Sequence, residues 1–268
     1  MKQLLIAGCG DLGQRLARRL DDSLWTTHGL RRNPGQLENP VRAIGGDLLD
    51  PASLEVVAGQ WDAIIYQATP GQRSPEDYRR SYVDGLVNLL QQASADRLIF
   101  VSSSAVYGQD QGQWVDETSP TEPDSFAGQI LLEAEAAARR HNGIVVRFSG
   151  IYGPGRDYLI RSLSSGQARC RPDPPQWTNR IHAEDCAGVL SHVLELEAPE
   201  PVYCASDPNP TPRCEVLQWL ADQLGVPGPG SDRQDRGQGK RVSSRRLTDS
   251  GFKFQYPDYQ TGYGELLP

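Results

Sequence analysis

Residues 3–13 read QLLIAGCGDLG, an apolar run that ends in Gly8-Cys-Gly10-Asp-Leu-Gly13 and opens onto a helical pattern. No other feature of the chain constrains its fold as tightly. A strand delivers the backbone into a glycine turn, and the turn starts a helix whose N-terminal N–H groups suit an anion. The first glycine makes the turn, the second lets the backbone approach a pyrophosphate, and the third lets helix and strand pack closely. The flanks agree: Leu4, Leu5, Ile6 and Ala7 form a buried-strand run, and Leu12, Leu16 and Leu20 recur at helical spacing with Arg15, Arg18 and Arg19 on the other face. Dinucleotide binding is the first reading, with Gly8, Gly10, Asp11, Leu12 and Gly13 at the phosphates. A purely structural glycine turn is the alternative.

Through the first 150 residues apolar strands (3–7, 25–30, 41–44, 62–67, 97–102, 144–148) alternate with amphipathic stretches, notably 75–93 and 124–140. The alternation predicts an α/β protein, a doubly wound parallel sheet (Rossmann fold) covered on both faces. After residue 150 proline and glycine crowd the chain, and helices remain at 183–196 and 213–224. The expected organisation is a dinucleotide-binding domain over 1–150 and a smaller substrate-side subdomain over 151–268, with a strand near 201–204 returning to the sheet. A formal charge of −7 argues against nucleic-acid binding. No apolar run is long enough to span a membrane, and a strand starting at residue 3 leaves no room for a signal peptide. The cysteines (Cys9, Cys170, Cys186, Cys204, Cys214) are odd in number and without a CxxC, which fits a reducing cytoplasm better than a disulfide framework. His28, His141, His182 and His192 show no metal spacing with them, so no metal site is expected.

The second strand of such a fold ends beside the adenosine ribose, where an acid selects NAD. Here it ends in Gly29-Leu30-Arg31-Arg32-Asn33, with two guanidiniums and no carboxylate. Planar cations suit a 2′-phosphate, so Arg31 and Arg32 favour NADP, with NAD as the alternative; a solvated arginine pair is the plain reading. Asp47 and Leu48 follow the third strand, where a carboxylate can meet adenine or cap the next helix. Ala68, Thr69 and Pro70 follow the fourth, at the sheet edge where ligands sit.

These segments, with Val101-Ser-Ser-Ser-Ala-Val-Tyr-Gly108, Arg147-Phe-Ser-Gly-Ile-Tyr-Gly-Pro154 and Arg180-Ile-His-Ala-Glu-Asp185, stand in an order that resembles the extended short-chain dehydrogenase/reductase family, of the NAD-dependent epimerase/dehydratase type. The resemblance runs through most of the chain. It implies a nicotinamide dinucleotide cofactor contacted also by Ser102, and a C-terminal subdomain that often receives a nucleotide-linked sugar. It also implies that Ser103 or Ser104 bonds the substrate oxygen; satisfied backbone groups at the strand end are the plain alternative. His182 and Asp185 are read as structural, Asp185 favouring a helix dipole.

The chain departs from the family on the helix after the serine strand. A tyrosine and a lysine four residues later share one helix face there, and the lysine lowers the tyrosine pKa. The matching positions hold Phe126 and Ile130, and the three lysines, Lys2, Lys240 and Lys253, all lie elsewhere. Tyr78, Tyr82 and Tyr107 are read as packing, and Cys9 as a small filler. Two functional readings follow: an NADP-dependent reductase or epimerase-like enzyme on a small carbonyl or sugar-nucleotide substrate, or a non-catalytic NADP(H) sensor. Arg233, Arg236, Lys240, Arg241, Arg245 and Arg246 either clasp a diphosphate or form a solvated loop. The apolar residues near 86–90 and 130–134 serve either a homodimer or the core.

Overall fold

The structure, a computed structural model, describes residues 1–232 and 237–267. β1 (Lys2–Ala7) leads through α1 (Asp11–Arg19) to β2 (Trp25–Arg31), β3 (Arg42–Gly45) and β4 (Gly59–Tyr66). Helices α2 (Pro75–Arg79) and α3 (Gly85–Gln92) precede β5 (Ala93–Ser103) and β6 (Gln111–Val115). Next come α4 (Phe126–Arg140), β7 (Ile144–Phe148), β8 (Gly150–Tyr152), α5 (Tyr158–Ser164), β9 (Arg169–Cys170), β10 (Trp177–Thr178) and β11 (Arg180–His182). The rest is α6 (Ala183–Glu195), β12 (Val202–Ala205), β13 (Thr211–Pro212), α7 (Arg213–Leu224), β14 (Gly230–Ser231), β15 (Gly239–Val242), α8 (Arg245–Asp249) and α9 (Tyr259–Gly264).

The main sheet has seven strands in the order β12-β7-β5-β4-β1-β2-β3, and the ladders from β5 across to β3 are parallel. This is the doubly wound α/β fold that the alternation predicts. The chain builds outward from β1 to β3, then returns to the other side of β1 with β4. Such a reversal leaves a crevice at the carboxyl ends of the two strands. Leu4, Leu5 and Ile6 of β1 and Ile64, Ile65 and Tyr66 of β4 are all 0 % exposed. Strands buried on both faces need such unbroken apolar runs.

The chain divides into two compact units. Unit 1 is Met1–Val106, Thr121–Arg147 and Ala187–Tyr203; unit 2 is Tyr107–Pro120, Phe148–Cys186 and Cys204–Pro268. The chain thus crosses between them at more places than the boundary at residue 150 and the return of a strand near 201–204 expected from the sequence; β12 lies in the main sheet. Segment 107–120 joins unit 2 because β6 pairs with β15, Gln111 opposite Gly239. Inside unit 1, α4 is tied to the sheet by a buried ion pair. Glu135 accepts from Arg147 Nε at 2.9 Å and Nη2 at 2.6 Å, and from Ser102 Oγ at 2.6 Å.

Unit 2 is held by short pairings, β8 with β11, β9 with β14 and β10 with β13. Asp185 fastens the C-terminal segment, accepting from the main-chain N–H of Gln255 at 2.8 Å and of Tyr256 at 2.9 Å. The His182 ring lies 3.9 Å from that of Tyr256. The cysteine reading needs correction: Cys170 and Cys214, 44 residues apart, form a disulfide with Cα atoms 5.4 Å apart. Only the fold brings β9 to the start of α7, so spacing could not reveal the pair. Cys9, Cys186 and Cys204 are buried outside it.

Of the basic segment, Arg233 and Arg236 lie outside the described residues. The rest is engaged within unit 2. Lys240 donates to Tyr107 O, and the Arg241 guanidinium lies 5.1 Å from the Trp114 ring and 4.8 Å from that of Trp177. Arg246 faces Glu117 at 3.9 Å, and Arg245 pairs with Asp249 at 3.3 Å. Among the described residues no helix is long and apolar enough to cross a membrane, and no His/Cys/Asp/Glu cluster is arranged to hold a metal ion.

Candidate coenzyme site

Two of the three glycines of the first turn have a steric reason inside the fold. Gly8 has a φ of +76°, and a Cβ there would stand 2.5 Å from the Ala68 Cα. A Cβ on Gly13 would meet Gln67 Nε2 at 2.4 Å and Cys9 Sγ at 2.8 Å. Gly10 differs: its Cβ would find only Gly8 O, at 4.0 Å, so this side of the turn is open. Gly10 precedes α1 with no side chain capping the helix, and the positive end of the helix dipole lies at that open side. Asp11 is bonded to Arg15 Nε at 3.0 Å. Burial pushes the Cys9 thiol up to about 11 against the lowering influence of Arg31, which suits a filler and not a nucleophile.

A pocket of about 420 Å³ opens beside this turn. Gly8, Gly10, Arg31, Arg32, Asp47, Leu48 and Thr69 line it, together with Cys9, Leu30 and Asn33. Asp11, Leu12, Gly13, Ala68, Pro70 and Ser102 do not, although Ala68 is the backbone against which Gly8 rests. Arg31 is steadied by donating to Gln36 Oε1 at 2.6 Å. Asp47 accepts from Leu49 N–H at 3.0 Å. The capping role falls instead to Asp50, which accepts from Ala52 N–H at the start of the 3₁₀ helix Pro51–Val57.

Three further lining residues, Asp77, Arg80 and Ser81, have no signal in the sequence. Asp77 stands on α2, and Arg80 and Ser81 open a π-helical turn at Arg80–Asp84, set between α2 and α3. Within this turn the Ser81 carbonyl accepts from the Tyr66 hydroxyl at 2.5 Å. Tyr66 stands where a Cβ on Gly85 would fall, 2.6 Å from its oxygen. Such turns are rare and concentrate at functional sites.

The serine strand is partly committed. Ser102 is 4 % exposed and donates to Glu135, and Ser103 Oγ accepts from Ala105 N–H at 3.2 Å. Ser104 opens the 3₁₀ turn Ser104–Val106 and is half-buried. Phe126 is the first residue of α4, its ring edge-on to Tyr78 at 5.3 Å; Tyr78 lies 5.5 Å from Tyr82. Burial, then Tyr78, pushes the Tyr82 hydroxyl up to about 12, so it stays protonated. Ile130 is 6 % exposed, inside the core. Tyr107 is packed too, its hydroxyl 3.0 Å from Cys204 Sγ.

The chain belongs to the NAD-dependent epimerase/dehydratase family, whose model matches residues 4–204. Protein YeeZ of Escherichia coli K12 is 29 % identical, covering 96 % of this chain and 97 % of its own. A 3-diazoavenalumate denitrifying reductase of Streptomyces is 24 % identical over 85 % of this chain and 83 % of its own. Among solved structures, a Methylobacillus flagellatus protein described as an NAD-dependent epimerase/dehydratase is 37 % identical, with a TM-score of 0.86 over 99 % of this chain and 97 % of that one. MoeE5 in complex with UDP-glucose and NAD shares the fold, at 22 % identity and a TM-score of 0.81 over 98 % and 96 %.

Proposed function

We propose that unit 1 binds NADP(H) and that the chain uses it in reductase- or epimerase-type chemistry on a small carbonyl compound or a nucleotide-linked sugar. One observation carries the reading: Arg31 and Arg32 line the same pocket as Gly8 and Gly10, and the tip of β2 bears no carboxylate. In this reading Gly8, Gly10, Asp11, Leu12 and Gly13 bring backbone N–H groups to the diphosphate, and the two arginines take the 2′-phosphate. Asp47 and Leu48 receive adenine; Ala68, Thr69, Pro70 and Ser102 continue along the strand ends. When bound, the coenzyme supplies or accepts a hydride. Ser103 or Ser104 holds the substrate oxygen. The UDP-glucose and NAD of the MoeE5 complex support the substrate class and leave NAD as the alternative coenzyme.

The absence of a tyrosine–lysine pair on α4 supports a second reading, an NADP(H) sensor without turnover. It also favours, among substrates, acceptors that take a hydride without a phenolic acid beside them; the Streptomyces relative is named for a diazo compound. Cytoplasmic residence belongs to the proposal. A homodimer has less support: Leu86, Leu89, Ile130 and Leu131 are buried within unit 1, and Glu133 on the outer face of α4 is bonded to Arg79 at 2.6 Å.

Calorimetric titration with NADPH and NADH tests the reading. NADPH should bind more tightly, and Arg31→Ala/Arg32→Ala should weaken it roughly 10- to 100-fold, the worth of one or two charge-assisted hydrogen bonds, with NADH nearly unchanged. Equal losses for both coenzymes overturn the 2′-phosphate assignment, and no binding of either leaves the glycine turn purely structural. Transfer of label from deuterated NADPH to any carbonyl compound separates enzyme from sensor.

A further inference from the structure

Arg241, on β15 of unit 2, is held in place without a carboxylate. Elsewhere in this acidic chain Arg15, Arg79, Arg147, Arg161 and Arg245 each meet an acid within 3.3 Å. Arg241 meets none among the described residues. Its Nε donates to Gly112 O at 2.8 Å, and its guanidinium carbon lies 5.1 Å from the centre of the Trp114 ring and 4.8 Å from that of Trp177. A cation over an aromatic face is attracted by the ring quadrupole and spends no hydrogen-bond donor there. Of the guanidinium donors only Nε–H is therefore used. Nη1 and Nη2 make no hydrogen bond or ion pair among the described residues. What remains is a planar fork, fixed on two rings and one carbonyl, whose charge has no counter-ion.

The two rings are themselves positioned by the fold. Pairing of β6 with β15 sets Trp114 opposite Arg241. Gly112 has a φ of +75°, and a Cβ there would stand 3.1 Å from Trp177 Cδ1, so this glycine makes room for the second ring. The Trp177 N–H donates to Gln238 O at 2.7 Å. Trp177 is partly buried, whereas Trp114 is 55 % exposed. A tryptophan carries a large apolar face, and much of this one stands in water beside the free fork. Lys240 is adjacent in the chain, but its ammonium is bonded to Tyr107 O and lies in the field of Asp110. The cation available at this place is Arg241.

We propose that Arg241, Trp114 and Trp177 form a binding site for a small anion that carries a flat ring. The carboxylate or phosphate meets the Nη pair end-on through two parallel N–H···O bonds, the geometry in which a guanidinium binds either group. The ring lies against Trp114, and Trp177 braces the guanidinium from its own side. Because the fork is already ordered, binding costs little side-chain freedom. An aromatic carboxylate and a nucleoside phosphate share this chemistry. The site is built wholly within unit 2 and does not rest on the coenzyme reading.

The test titrates the isotope-labelled full chain with benzoate and with uridine monophosphate, each beside its ringless counterpart, acetate or inorganic phosphate. The readout is the set of indole N–H resonances in nuclear magnetic resonance spectra, with the Trp114 signal assigned by its loss in Trp114→Ala. A ring-bearing anion should move the Trp114 signal and leave those of Trp25, Trp61 and Trp219 in place. It should bind roughly tenfold more tightly than its ringless counterpart, the worth of one aromatic contact. Trp114→Ala should remove that advantage, and Arg241→Lys, which keeps the charge and loses the fork, should weaken binding about tenfold or more. Tighter binding of benzoate identifies the carboxylate as the source of the anion, and tighter binding of uridine monophosphate the phosphate. A Trp114 signal that neither moves by about 5 mM overturns the proposal. So does binding that Arg241→Lys leaves unchanged, or a nucleotide that moves only Trp25 or Trp61, which lie in unit 1. If Arg241→Lys does not fold, Trp114→Ala decides, since its ring already stands in water.

Discussion

Replacing Glu135 by alanine probes the joint that sets α4 against the sheet. The carboxylate is 5 % exposed and the Arg147 side chain 7 %. It accepts two hydrogen bonds from that guanidinium, at 2.9 and 2.6 Å, and a third from Ser102 Oγ at 2.6 Å. Alanine leaves a buried guanidinium without this counter-ion, a change that costs about 3–5 kcal/mol, and the lost acceptor for Ser102 adds about 1 kcal/mol. In a chain of this size each kcal/mol moves the melting temperature by roughly 2–4 °C, so Glu135→Ala should melt roughly 10–20 °C below wild type. The double variant Glu135→Leu/Arg147→Met removes both charges and refills the space, and an apolar replacement of a buried pair is often near neutral. It should melt above either single variant. The assay is a melt followed by circular dichroism for wild type, Glu135→Leu, Arg147→Met and the double variant, with Glu135→Ala measured beside them. A double variant that loses the sum of the two single losses refutes the pair as a unit, and so does Glu135→Ala melting within about 2 °C of wild type, since that is no more than about 1 kcal/mol.

Other substitutions separate the roles of neighbouring residues. Gly8→Ala puts a Cβ at positive φ and 2.5 Å from Ala68 Cα; it should lower the denaturation midpoint by an amount equivalent to roughly 2 kcal/mol or more. Gly10→Ala meets open space and should fold normally while binding NADPH at least about tenfold more weakly in the same calorimetric titration. Asp207 is 0 % exposed, and burial pushes its carboxyl up to about 7 against the opposing charge of Arg180. A folded-state pKa above the unfolded one keeps the proton on the native chain longer. Its contribution is therefore complete below about pH 4 and is lost as pH rises through about 7. Urea midpoints at pH 5 and pH 8 should differ more for wild type than for Asp207→Asn; equal differences would remove Asp207 from the explanation.

The parts of this fold that can be read in the chain are those that local pattern determines. The apolar runs of β1 and β4 and the glycine turn between strand and helix are legible because periodicity and backbone sterics act over a few residues. The site is legible up to Arg31, Arg32 and Asp47, which follow directly from strand ends. Glu135 is not: a glutamate in mid-helix reads as solvated until Arg147 is seen beneath it. Asp185 is read as structural, but through a helix dipole, whereas its oxygens hold the main chain at Gln255 and Tyr256. The strands of unit 2 run two to five residues, too short to show a period, and β6 finds its partner in β15, far along the chain. The disulfide is hidden for the same reason.

The π turn between α2 and α3 makes one wall of the pocket depend on how many residues the chain contains there. Each residue of a regular helix advances the face it presents by about 100°. Deleting one residue from Arg80–Asp84 would let an unbroken α-helix form in place of the π turn. Everything before the deletion would then rotate by that angle about the axis, carrying Asp77 and Arg80 off the pocket wall. A single-codon deletion here would reshape the site while leaving every glycine and arginine of the β1 and β2 ends in place, a change that comparing side chains one by one would not detect.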